Sequence, residues 1–239
     1  MAHKGGDTVL DVISRHRSVR KYSGDVDSSD LERILYAARR APTAWNLMPV
    51  TVHVVTDRSL LEAIGDAVGG QEHVKKAPVF LVFSIDYAKI LEASRQAGVE
   101  PAEPGWGHIV AALIDAGIMV GWTGLAAESL GYGVAYIAVY GASCKVAEIL
   151  GLPSHVAPVV GLAIGRPGED PAVRPRQPPE SMTSYNGYGT SPEEKAEGVK
   201  SVYGERAPRL FNIVTSKGGY LDRLSQEIVE CLRSKGFKV

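Results

Sequence analysis

Two cysteines in 239 residues, neither in a CxxC or Cys/His spacing, leave this sequence without the ligand set of a zinc or iron-sulfur centre. No metal site is expected. Cys144 and Cys231 lie far apart in the chain, and their expected state is two half-buried thiols in a reducing compartment. Charge of one sign is also missing. The 26 Lys and Arg balance 27 Asp and Glu to a formal charge of -1, so there is no overall pull toward nucleic acid or anionic lipid, and any basic site is local. The sequence has no GxGxxG after its first strand, no Walker A lysine loop, no HExxH and no GxSxG turn. No side-chain nucleophile is evident, so no catalytic residue is assigned and a bound cofactor is expected to carry any difficult chemistry. Internal repeats and low-complexity tracts are absent too. The N-terminal Met-Ala-His-Lys-Gly-Gly-Asp lacks the apolar stretch of a signal peptide, which makes the cytoplasm the expected location.

What is present is the balance of a globular protein: 45% hydrophobic and 22% charged residues. A chain of this size removes about 72% of its extended surface on folding, enough for a core without staples. Apolar residues Val9, Leu10, Val12 and Ile13, then Leu31, Ile34, Leu35 and Ala38, recur at helical spacing around a basic turn. Ser28-Ser29-Asp30 begins the second helix and Pro42 stops it. Strands are expected over 50–56, 79–85, 133–139 and 157–165, with short helices over 60–68 and 143–150. The 79–85 run is apolar throughout, as in a central strand buried on both faces. Residues 109–130 are long and apolar enough to raise a membrane span, but Asp115 and Glu128 would each cost roughly 2.5–3.5 kcal/mol near a bilayer centre. The segment reads as a buried helix, and Ala112, Ala116, Gly117, Gly121 and Gly124 suggest close approach to a partner subunit. Residues 168–179 form a Pro- and Arg-rich extended arm, and helices follow over 191–201 and 220–235. The expected organisation is one domain over 1–190 with a helical extension over 191–239.

Two segments suit an oxyanion. His16-Arg17-Ser18-Val19-Arg20 offers guanidinium, hydroxyl and imidazole donors in five residues, although basic residues ending a helix also serve its dipole. Arg174-Pro175-Arg176 holds two guanidiniums on a proline-stiffened arm, which a solvated linker would also explain. Polar turns at 42–49 and 69–74 lie at strand ends, where ligands usually sit.

These motifs, in this order, resemble the nitroreductase family of FMN-dependent oxidoreductases. The resemblance rests on His16-Arg17-Ser18-Val19-Arg20-Lys21-Tyr22, Ala41-Pro42-Thr43-Ala44-Trp45-Asn46, the helix from Asp115-Ala116-Gly117 to Gly131-Tyr132-Gly133, and Gly165-Arg166-Pro167 with Arg174-Pro175-Arg176. It spans about residues 9–190, and Gly70-Gln71-Glu72-His73-Val74 points to the branch of NADPH-dependent nitroreductases and flavin reductases.

The resemblance implies an α+β fold with a central mixed, mainly antiparallel sheet flanked by helices, in an intertwined homodimer with FMN at the subunit interface. It implies that His16, Arg17, Ser18, Arg174 and Arg176 hold the cofactor phosphate, Arg20 sits by the N1/C2 edge and Gln71 by the pyrimidine. Thr43 and Asn46 would come from the other subunit, and the backbone of Ile137, Ala138 and Val139 would face N5 and O4. NAD(P)H would donate hydride through the flavin to a nitroaromatic, quinone or flavin acceptor, a small molecule, with no nucleic acid or membrane as partner. Trp106 and His108 are candidates for the acceptor pocket. Three positions depart from the pattern: Ala138-Val139 replaces glycines and would crowd the flavin, Met48 replaces a glutamine, and the tail arginine has only Arg206 and Arg223 as candidates. A dehalogenating or flavin-fragmenting FMN enzyme, a non-catalytic flavin-binding protein and a flavin-free anion-binding module remain as alternatives.

Overall fold

The computed structural model describes residues 7–239. Helix α1 (Val9–Ser14) starts at a capping box in which Thr8 and Asp11 satisfy each other's backbone donors. A strand β1 (Tyr22–Gly24) follows, then α2 (Ser28–Arg40), which stops before Pro42 with Ala41 already extended. After a 3₁₀ turn at Ala44–Asn46 come β2 (Val50–Val55), α3 (Arg58–Ala67), the single turn α4 (Glu72–Lys75), β3 (Val79–Asp86) and α5 (Ala88–Gln96). The long helix α6 (Trp106–Ser129) leads into β4 (Gly133–Ala138), α7 (Ser143–Ile149) and β5 (Val156–Pro167). Beyond them lie α8 (Pro179–Met182), α9 (Pro192–Tyr203), α10 (Ala207–Thr215) and α11 (Tyr220–Ser234).

The five strands form one sheet in the order β1-β5-β3-β2, with β4 also paired to β5. Every pair is antiparallel, so the mixed sheet expected from the resemblance is antiparallel in all its named strands. Among the described residues the parallel links are isolated bridges, Ser18 to Val134 and Gly105 to Lys238. All eight residues of β3 are buried, and they alternate between two cores as strand geometry requires. Leu81, Phe83 and Ile85 pack with Ile34, Ile109 and Met119 of α2 and α6. Phe80 and Val82 pack with Leu61, Ile64, Val74 and Val146 of α3, α4 and α7. Each such side chain contributes about 1.5–3 kcal/mol of burial, so β3 is the axis of the molecule.

Helix α6 buries Asp115 and Thr123 together with seven apolar or small residues, as a core helix does. Its small residues do not share one face. Ala112 and Ala116 are buried in the core and Gly124 is filled by the Tyr136 ring, whereas Gly117 and Gly121 look into open space.

The two cysteines are not free thiols. Cys144 of α7 and Cys231 of α11 form a disulfide with their Cα atoms 5.6 Å apart. The expectation failed because the residues are 87 positions apart and only the packing of α11 beside α7 brings them together. The chain end is held close by: Lys238 N–H donates to Pro104 O at 2.8 Å, and Phe237 is buried.

Two compact units divide the described chain: residues 7–172 with Glu227–Val239, and Val173–Gln226. The division expected at residue 190 falls inside the second unit. Within that unit the Pro/Arg arm is extended to Pro178, and α9 begins at a Ser191–Glu194 capping box with Pro192 in its first turn. Gly198 leaves room for Ser181, since an added Cβ would lie 1.6 Å from its Oγ.

Candidate active site

The basic turn after α1 is pinned to β4. Val19 N–H donates to Val134 O at 2.9 Å, and the missing side chain of Gly133 makes the approach possible, because a Cβ there would lie 2.7 Å from Val19. Ser18 is thereby bridged to Val134. His16 Nδ1 lies 2.8 Å from Glu128 Oε1, and its ring meets that of Tyr136 edge-on with centroids 5.8 Å apart. Burial pushes the Glu128 carboxyl up against the lowering effect of the His16 hydrogen bond, while its Oε2 is buried without a partner. Burial and the Glu128 charge together push the Tyr136 phenol up to about 12, so it stays a hydroxyl at neutral pH.

Arg17 donates from Nη1 to Arg15 O at 3.0 Å and pairs through Nη2 with Asp170, while its Nε is buried with no acceptor. Arg20 N–H donates to Glu169 Oε1 at 2.7 Å. Two neighbouring carboxylates therefore face the basic turn, and Asp170 is 80% exposed. A cavity of about 590 Å³ opens here, lined among others by Ser18, Arg20, Lys76, His73 and Glu169. It joins the basic turn to the loop of Gln71, whose N–H is held by Gly65 O at 2.8 Å where α4 begins. His73 is buried, and burial followed by the Arg20 charge lowers its pKa.

Strand β4 has a strand on one side only, so beyond the Val134 link its other edge presents unpaired backbone groups. Tyr136 and Ala138 are exposed on one face, whereas Ile137 is buried. Val139 is fully buried and packs toward Gly161 and Phe80. Of the two side chains expected to crowd a flavin, only the Ala138 methyl stands on the open face.

Thr43 and Asn46 lie apart from this group. Their loop is anchored on α6 where Ala44 N–H donates to Asp115 Oδ1 at 3.0 Å. Trp45, Asn46 and Met48 all adopt positive φ, a cost that persists where a loop has a task, and Trp45 is 89% exposed. Met48 N–H donates to Thr43 Oγ1 at 3.2 Å, so the turn is closed by its own threonine. Arg174 and Arg176 are exposed in the second unit, where Arg176 Nη1 donates to Arg174 O at 3.2 Å. His108 is taken up locally by Gly105 N–H at 3.3 Å and by the Tyr87 ring, while Trp106 is exposed.

Sequence reasoning passed over Glu128, Tyr136, Glu169 and Asp170. An acid near the end of an apolar helix was the signal for Glu128, and the acidic pair beside a basic arm was the signal for Glu169 and Asp170.

The structure thus sets a basic turn against an edge strand of an antiparallel sheet flanked by helices, an α+β arrangement. The comparisons give the family. The model of the Nitroreductase family matches residues 13–166, and the chain belongs to that family. It is 34% identical over 247 residues to the FMN reductase (NAD(P)H) of Bacillus subtilis, covering 97% of this chain and 98% of that one. It is also 34% identical over 181 residues to the oxygen-insensitive NADPH nitroreductase of Salmonella typhimurium, covering 75% and 74% of the two chains. Among solved structures, the hypothetical oxidoreductase YcnD of Bacillus subtilis superposes with a TM-score of 0.83 at 30% identity, over 97% of this chain and 98% of that one.

Proposed function

We propose that this chain is an FMN-dependent oxidoreductase that draws hydride from NAD(P)H and passes it to a nitroaromatic, quinone or flavin acceptor, working as a homodimer. The carrying observation is Arg17: a buried guanidinium nitrogen without an acceptor, beside an exposed and exchangeable carboxylate partner. Leaving a donor buried and unsatisfied costs about 1–3 kcal/mol, which a phosphate oxygen would remove. The chemistry of the residues present fits the cofactor, since the lining of the adjoining cavity offers Ser18, Arg20 and Lys76.

When bound, FMN supplies the two-electron chemistry that no side chain here supplies. Arg17 and Ser18 would hold its phosphate, and His16, held by Glu128 and Tyr136, would complete that end of the site. Arg20 would place positive charge beside the pyrimidine edge, where it favours a reduced ring, and Gln71 would add a polar contact. The backbone of Ile137–Val139, at the end of β4 and just past it, would orient the ring, with the Ala138 methyl the one added side chain on that face. Thr43 and Asn46 close the site from the partner subunit. The resemblance assigns Arg174 and Arg176 to the phosphate as well. The cytoplasm, which holds the nicotinamide pool, is the location that suits this activity.

The visible spectrum of the purified protein, before and after anaerobic NADH or NADPH, tests the reading. Flavin bands that bleach quickly with one nucleotide are expected and choose the donor. Bands that persist would leave a flavin-binding protein without turnover, and a protein that stays colourless after FMN addition would sink the proposal.

A further inference from the structure

Of the ionisable pairs at the basic turn, His16 and Glu128 are the most withdrawn from water, with side chains 25% and 13% exposed. Glu128 Oε1 meets the ring at Nδ1, and Nε2 has no hydrogen-bond partner among the described residues. One ring nitrogen is committed to the acid and the other is left to a ligand. The two are not independent, because the hydrogen on one nitrogen is set by the bond the other makes. A bare carboxylate draws the hydrogen of a neutral ring onto Nδ1, and Nε2 then carries a lone pair that repels a phosphate oxygen. One further proton on the pair reverses this. If it rests on the ring, both nitrogens carry N–H. If it rests on the acid, the carboxyl donates to Nδ1 and the ring hydrogen sits on Nε2. Glu128 is suited to keep that proton: burial pushes its carboxyl up, and its Oε2 is buried with no donor. The surrounding groups hold their charge near neutral pH. Tyr136 of β4 stays a hydroxyl, and in the turn itself Arg15 and Arg17 stay cationic beside Asp7 and Asp170.

We infer that Glu128 is a positioning residue that makes phosphate binding at this turn depend on one proton: the protonated Glu128–His16 pair donates from His16 Nε2 to the phosphate, and the deprotonated pair turns a lone pair on it. The inference rests on the FMN reading and adds to it the group that controls retention of the cofactor. A bound phosphate holds the pair's proton more tightly than water does. Affinity is therefore complete below the pKa of the free pair and falls as pH rises through it.

Dilution of the FMN-loaded protein between pH 7 and 9.5, with released flavin read by fluorescence against free FMN at each pH, gives the dissociation constant. Glu128→Gln supplies the reference. Its amide nitrogen donates to Nδ1, so Nε2 keeps its N–H across the range, while any pH dependence of FMN itself remains. The parent's affinity should fall about tenfold or more relative to this variant, the worth of one charge-assisted hydrogen bond. His16→Gln, on a part-exposed turn, has no such proton to lose and serves as a second reference with the same expected result. Parallel profiles for the parent and either variant would overturn the inference and leave the flavin reading standing. A parent that holds no FMN at any pH would sink both.

Discussion

Arg17 and His73 carry the two sharpest consequences at the scale of single residues. Arg17 has one nitrogen on a neighbouring carbonyl, one on an exposed carboxylate and one on nothing. Charge-assisted hydrogen bonds are worth about 1.5–3 kcal/mol, so Arg17→Ala should weaken FMN binding roughly tenfold to hundredfold, read from the quenching of FMN fluorescence on titration. An unchanged affinity would remove Arg17 from the phosphate site. His73 works in the opposite sense, as a group kept neutral. Its folded pKa lies below the ordinary 6.5 because burial and the Arg20 charge disfavour the imidazolium. The unfolded chain therefore takes up the proton first. Stability is complete above about 6.5 and falls as pH drops through the lower folded pKa. Urea midpoints measured at pH 7.5 and 5.5 should show that loss, and His73→Gln should make it smaller. His53, lowered likewise by burial, leaves a residual slope.

At the scale of elements, the β3-β5 ladder carries a close contact in which a missing side chain makes room for a ring. Gly161 of β5 faces the Phe80 ring of β3, and a Cβ at 161 would lie 2.2 Å from it. Phe80 is fully buried and cannot swing away. Gly161→Ala should cost about 1–3 kcal/mol by overpacking, seen as a lower urea midpoint with an unchanged slope. A variant as stable as the parent would mean that the β3-β5 interface yields more easily than its burial implies. The same elements separate what the sequence discloses from what it hides. β3 and β5 were legible because a run buried on both faces needs apolar residues at nearly every position, and α6 because its apolar run is long even though part of it faces outward. β1 is three residues long and α4 four, too short for any period to show. The disulfide was hidden for a different reason: two cysteines 87 residues apart meet only through tertiary packing. The motif residues His16, Arg17 and Ser18 were legible by chemistry. Their supports Glu128, Tyr136 and Asp170 were not, because each reaches the site from a distant stretch of chain.

For the whole molecule, α6 itself argues that one site needs two chains. His16 is fixed to Glu128 near the C-terminal end of the helix, whereas the Thr43–Asn46 loop is fixed to Asp115, thirteen residues earlier. The rise of an α-helix puts those anchors about 20 Å apart. Along this stretch and the turn before it the helix shows Leu113, Ile114 and Trp122 to the outside, with Gly117 and Gly121 leaving its surface flat. A second copy crossing this face can bring its own loop to the first copy's basic turn, which the first copy's loop is too far away to reach. The proposal is testable by complementation. Arg17→Ala breaks one half of each site, and Thr43→Ala with Asn46→Ala breaks the other, so each homodimer should lose flavin. A heterodimer of the two variants, isolated through two different tags, places both defects in one site and leaves the other intact. It should carry one FMN per dimer. If Thr43 and Asn46 served their own chain's site, the same heterodimer would contain two damaged sites and carry none, so the flavin count alone decides between a shared and a private active site.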